Sequence, residues 1–291
     1  MHWPDDNSLS GSRMSSQRFM FRRAPAGAPS RSRIRSSGVA AALGAAAFLM
    51  VSTSSMAQQV PGNSVGLNLG VFPRYQGAST YRVLPLPTLA LTSHGLPFDG
   101  SFFLQDLNGG VAFPFGRSIT FGLLVGVGLG RKQDDAPILN GLGDIDTSFQ
   151  YGLFARWHSG PASADIRFLQ AAHAGYGNHV TLGVSYAVFD TPRDRVTVSA
   201  DTVWSNGPAE QTYFGVDSEQ AANSAAGLPV YHPSAGFSRV DGRLAWEHRL
   251  NPRWSLRSSI GAGSLLGDAA NSPVVEHRAA VFGSVGASYR F

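Results

Sequence analysis

Cysteine is absent from all 291 residues, which excludes disulfides, thiolate metal sites and a lipid-modified N-terminal cysteine. Charge is scarce as well. Asp, Glu, Lys and Arg make up 14% of the chain, against roughly 25% in ordinary soluble domains. Long apolar runs are also missing. The uncharged, Ala- and Leu-rich stretch from Gly38 to Val51 falls short of the roughly 20 residues that a spanning helix needs, but it has the length of a signal-peptide core.

The positive charge sits mostly where it cannot serve a folded domain. Seven of the 23 Lys and Arg, but only two of the 19 Asp and Glu, lie between Met1 and Ser37, which leaves 16 basic against 17 acidic residues. The pI near 9.7 therefore belongs to the N-terminal segment, and no nucleic-acid partner is expected. Small residues follow the apolar core in Ser55-Met56-Ala57, so cleavage is predicted between Ala57 and Gln58. This divides the chain into a leader, 1–57, and an exported domain, 58–291. Met20 is a second candidate start within the long basic stretch, and an uncleaved anchoring helix is the alternative reading of the leader.

What the exported domain does have is glycine, aromatics and a period of two. Ile119, Phe121, Leu123, Val125, Val127 and Leu129 alternate with Thr120, Gly122, Leu124, Gly126 and Gly128, which places the two sets on opposite faces of a strand. Val180 to Val188, Phe149 to Trp157 and Val196 to Trp204 read the same way. The second face is mostly Gly, Ser and Thr, whereas a sheet facing water would carry many charges. The pattern therefore predicts an all-β, antiparallel transmembrane β-barrel. Twelve strands are expected, near 65–72, 80–91, 97–104, 109–114, 118–130, 147–157, 162–170, 179–189, 195–204, 237–249, 253–265 and 278–291. Ten is the alternative should the third and fourth segments not be strands.

The connections sort by length. Arg131 to Asp146, Ser205 to Gly236 and Leu266 to His277 all fall at odd-numbered connections, while Ser159-Gly160-Pro161, Asp190 to Asp194 and Asn251-Pro252 fall at even-numbered ones. Long loops on one rim and tight turns on the other is the arrangement of outer-membrane barrels, with the long loops outside. The location implied is the outer membrane, with its lipids as surroundings. Parity sends Trp157, Trp204, Trp246 and Trp254 outward near strand ends, and with Phe72, Tyr289 and Phe291 they suggest two interfacial girdles. It sends Asp165, Arg167, Asp201, Asp241, Arg243, Glu247, Arg249, Arg257 and Arg290 inward, a mixed set able to pair across a narrow lumen. The last strand alternates up to Tyr289 and Phe291, and such an ending resembles the signal read by barrel-assembly machinery.

Several segments carry a resemblance. Tyr213-Phe214-Gly215-Val216, then Ala226 to Tyr231 with Pro233 and Ala235-Gly236, then Leu266 to Val275 and the closing Tyr289-Arg290-Phe291 are similar to the MipA/OmpV family of outer-membrane proteins. The resemblance implies a scaffold that links a lytic transglycosylase to a bifunctional murein synthase, while some relatives are described as channels or adhesins. A small-solute channel is the alternative function.

No catalytic set emerges. His179 shares its face with Thr181 and Ser185 and has Asp201 one strand away, but no Gly-x-Ser-x-Gly elbow accompanies it. Asp134, Asp135, Asp144 and Asp146 crowd one loop without the spacing of a calcium loop. No enzyme activity, cofactor or metal is expected.

Overall fold

The computed structural model describes residues 62–93 and 100–291. The expected leader, with the Ala57–Gln58 junction, lies outside them. Twelve antiparallel strands close into one barrel. They are β1 (Ser64–Pro73), β2 (Tyr81–Ser93), β3 (Gly100–Gln105), β4 (Asn108–Phe115), β5 (Ile119–Gly128), β6 (Ser148–Ser159), β7 (Ala162–Ala171), β8 (Asn178–Asp190), β9 (Asp194–Ser205), β10 (Gly236–Arg249), β11 (Trp254–Leu265) and β12 (Ala279–Arg290).

Each strand pairs with its neighbours in sequence, and β12 closes the ring on β1 from Ser64↔Arg290 to Val71↔Gly283. Closure removes the unpaired edges that an open sheet would expose. An even number of strands also brings both ends of the barrel segment to one rim, that of the tight turns.

Strand chemistry follows the alternation. In β5, Ile119, Phe121, Leu123 and Val125 point outward, with Leu123 54% and Val125 60% exposed, while Gly122, Leu124 and Gly126 are buried. Exposed aliphatic side chains in this number would be untenable in water and are at home in hydrocarbon. β2 contains Pro85 and Pro87, which cannot donate to a ladder. They are tolerated because β3 is short: it pairs with β2 only from Thr88 to Ser93, and Pro87 merely accepts, from the Asp106 amide at 3.0 Å. The β3 side of Pro85 therefore behaves as an edge.

Two parity expectations need correction. Phe72 does not belong to an outer girdle. It is 3% exposed and packs inside with Leu86 and Phe282, because β1 turns Val65, Leu67, Leu69 and Val71 outward and the even positions inward. In β10 the register slips between Phe237 and Arg239. The bulge puts both Ser238 and Arg239 on the inner side and turns Phe237 outward, where unbroken alternation back from Asp241 would have turned Phe237 in and Ser238 out.

The long loops are not plain coil. The β9–β10 connection forms α1 (Gly207–Phe214) and α2 (Ser218–Asn223), and the β11–β12 connection forms α3 (Gly267–Asn271). Asn206 caps α1 by accepting from the Ala209 amide at 3.1 Å, and Asp217 with Gln220 forms a capping box on α2.

Candidate functional site

The barrel interior is layered, and the layers decide what the barrel can do. The first is aromatic. Phe103, Ala112, Leu124, Phe154 and Leu169 form one buried cluster, and Phe72, Leu86 and Phe282 another. Phe103 and Phe154 meet edge to face, 5.8 Å between centroids, and Phe72 and Phe282 stack at 6.1 Å. These rings fit because glycine faces them. Gly122 pairs with Phe154 and Gly261 with Phe282 in the strand register, and a Cβ on either glycine would collide with the ring. The glycines of the inner face are thus seats for rings, and the lumen is filled where composition suggested open space.

The second layer is ionic. Arg167 on β7 meets Asp165 at 2.9 Å and Asp201 on β9 at 3.0 Å. Asp201 pairs in register with Asp241 on β10, and Asp241 is met by Arg239 at 2.7 Å. Room for the belt again comes from glycine: a Cβ on Gly183 would stand 2.6 Å from Asp201 Oδ1. Buried charges persist only when paired and hydrogen-bonded, and here each of the three carboxylates meets an arginine. Arg243 lies next to this belt, its guanidinium 5.3 Å from the centroid of Phe282.

The third layer is a cap at the long-loop rim. Tyr75, Ala78, Ala136, Leu139, Leu142, Val216 and Val274, drawn from four different loops, form a small core of their own. Val216 exchanges backbone hydrogen bonds with Tyr231 at 2.9 and 2.8 Å. The Ser272 hydroxyl donates to Phe214 O at 2.6 Å and the Tyr231 hydroxyl to Asp268 O at 2.8 Å. Arg131, buried beneath, donates to Tyr213 O at 2.9 Å and lies 5.9 Å over the Tyr75 ring. Burial lowers its pKa to about 10, so it stays charged. On α1, Glu210 is 2% exposed. Burial pushes its carboxyl up to about 7, against the Ser205 and Ser238 hydroxyls that hold it down and with the repulsion of Asp268.

The residues singled out in the sequence distribute over these layers as follows. Asp165, Arg167, Asp201 and Asp241 join the ionic belt. Glu247 meets Arg257 at 3.4 Å nearer the turn rim, and Arg249, Arg257 and Arg290 line open space there. Trp157, Trp246 and Trp254 are outward and exposed at the turn rim, with Trp254 5.1 Å from the Tyr289 ring; Trp204 is half-buried at the opposite rim. Phe291 is exposed, and its amide donates to Asn63 O at 3.0 Å.

His179 does not meet Asp201: the register sets it beside Ser205, while Asp201 pairs with Gly183 and is held by Arg167. The acidic loop is neutralised by cations, Lys132 on Asp144 at 2.8 Å and Arg74 on Asp135 at 3.5 Å. No cluster able to hold a metal ion occurs among the described residues. Sequence reasoning missed Arg239, Asp106 and Glu210. Asp106 is buried in the β3–β4 turn at φ 58°, and a turn gives parity nothing to count.

Among solved structures the chain is similar to an outer membrane channel from Pseudomonas putida F1, at 9% identity and a TM-score of 0.42 over 79% of this chain and 96% of that one. It is similar to the NanC porin at 8% identity and 0.40, covering 79% and 100%, and to the KdgM porin at 9% and 0.37, covering 78% and 99%. No curated protein sequence matches it. The profile of the family described as MltA-interacting protein MipA matches residues 65–291, which includes every strand but the first residue of β1 and all of the cap, and the chain belongs to that family of outer-membrane barrel proteins.

Proposed function

We propose that this protein is a scaffold in the outer membrane for enzymes of murein synthesis and turnover, a lytic transglycosylase and a bifunctional murein synthase among them. The observation that carries the reading is the cap: four loops pack together over the long-loop rim, above aromatic clusters and an ionic belt on the inner wall, which supports a closed rather than an open barrel. A barrel built this way serves better as an anchored body than as a passage. The family description, MltA-interacting protein, agrees with a murein-enzyme partner.

The family motifs of the two long loops lie in the cap, where Val216, Tyr231, Ser272 and Val274 hold the loops to one another, while Tyr289-Arg290-Phe291 closes the barrel at the turn rim. Their role is packing, so partners would engage the opposite rim, where the tight turns face the periplasm. Asp190 to Asp194 and Asn251 to Arg253 are among the exposed segments there, with Gly116-Arg117 and Ser159 to Pro161. A small-solute channel is the second reading, favoured by the open space behind that rim.

Crosslinking in intact envelopes followed by affinity capture tests the scaffold. Enrichment of a lytic transglycosylase or a murein synthase over an unrelated barrel is expected, and substitutions in Asp190–Asp194 should reduce it. Capture of neither enzyme class would reject the reading.

A further inference from the structure

The turn-rim half of the lumen is a cavity of about 260 Å³, lined by seven arginines and four carboxylates. The carboxylates do not balance the arginines. Asp190 is taken by Arg195 and Glu247 by Arg257. Asp194 accepts from His248 Nδ1 at 2.7 Å and Trp246 Nε1 at 3.0 Å. Asp106 lies near Arg243 and Arg257 and forms no ion pair among the described residues.

Arg249, Arg253 and Arg290 consequently face the cavity without a carboxylate partner among the described residues. Arg249 donates to Pro192 O at 2.7 Å, which leaves its charge uncompensated. The three are neighbours on one stretch of wall. Arg249 pairs in register with Ser255, Ser255 with Ser288, and the Arg290 amide donates to Arg253 O at 2.7 Å. Strands stand about 4.8 Å apart and alternate residues about 7 Å apart along a strand, so side chains as long as these can reach one ligand in the shared cavity. Arg243 lies deeper, with a buried Nε that has no hydrogen-bond partner. Ser255, Ser288, Thr88 and Asn68 add polar groups to the same cavity.

Guanidinium groups crowded in a concave, poorly solvated space repel one another and focus a positive potential on its mouth. Their planar forks match carboxylate and phosphate oxygens. We propose that this vestibule binds a small multivalent oxyanion, a polycarboxylate or a phosphate ester, entering from the turn rim. The site goes beyond the scaffold role and does not depend on it, since the cavity and its arginines are there whether or not a protein partner docks at the rim.

Calorimetric titration of the purified full-length barrel in neutral detergent tests the proposal, with citrate, pyrophosphate and the neutral sugar trehalose as probes. At least one anion should bind while trehalose does not, and whichever anion binds more tightly identifies the source chemistry. Affinity should fall as salt rises, and Arg249→Gln with Arg290→Gln should weaken it about tenfold or more. Arg278→Gln, at the opposite rim beside Asn271, should leave it unchanged. Heat-modifiable migration on a gel checks that the variants fold, and the salt series on the unaltered protein decides the matter if the double variant does not. Absence of binding by both anions, trehalose binding equal to theirs, affinity indifferent to salt, or a folded double variant that binds as well as the parent would each overturn the assignment.

Discussion

Glu210 brings a titratable group into the junction between cap and barrel wall. Its unfolded carboxyl ionises near 4.5 and the folded one near 7. Between those values the folded cap keeps a proton that the unfolded chain has lost, so cap stability is full below the lower value and falls as pH rises toward the upper one. The difference corresponds to at most about 3 kcal/mol. Hydrogen-exchange protection at the Val216 and Tyr231 amides, corrected for intrinsic rates, should drop by roughly one to two orders of magnitude between pH 5 and pH 8. In Glu210→Gln that dependence should vanish; an equal drop in the variant would place the titration elsewhere. Phe291 allows a second test at this scale. It and Phe115 are similarly exposed, 61% and 66%, so loss of lipid contact costs both alike. If Phe291 also carries the assembly signal, Phe291→Ser should sharply reduce folded barrel in the outer membrane and Phe115→Ser should not.

At the scale of elements, wall and cap differ in what supports them. Each strand is held by ladders to both sequence neighbours or, for β1 and β12, to one sequence neighbour and to each other, whereas the cap rests on contacts among loops far apart in sequence, such as Tyr75 with Val274. Val216 has no exposure, and Val216→Asp would leave a charge in that core without a partner. The expected outcome is rapid proteolysis within 205–236 with heat-modifiable migration retained; loss of both together would mean that cap and wall fold as one unit. The same difference explains what could be read in the sequence. Strands announced themselves by a period of two, down to the inward Asp165, Arg167, Asp201 and Asp241. The helices α1 to α3 did not, because they are at most eight residues long and are held by tertiary contacts rather than by an apolar stripe. The bulge before Arg239 was not legible, because it shifts the parity of Phe237 and Ser238 by one without marking the sequence.

For the whole molecule, the decisive property is that glycines of the inner face seat aromatic rings of the neighbouring strand. Gly122 and Gly261 suggest space when read along their own strands, and they accept Phe154 and Phe282 once the neighbouring strand is in register. That pairing is invisible until register is known, which is why alternation alone does not show how the interior is filled. An aromatic facing a glycine across the inner wall would be the feature to seek in related chains. With the cap at the long-loop rim and the ionic belt below it, the larger cavity among the described residues lies toward the turns, and the proposed scaffold role requires that the path between the rims be closed. Conductance of the purified protein in planar bilayers tests this closure most directly. The account predicts no steady current at moderate voltage from the intact barrel, and steady, ohmic single-channel currents would contradict it.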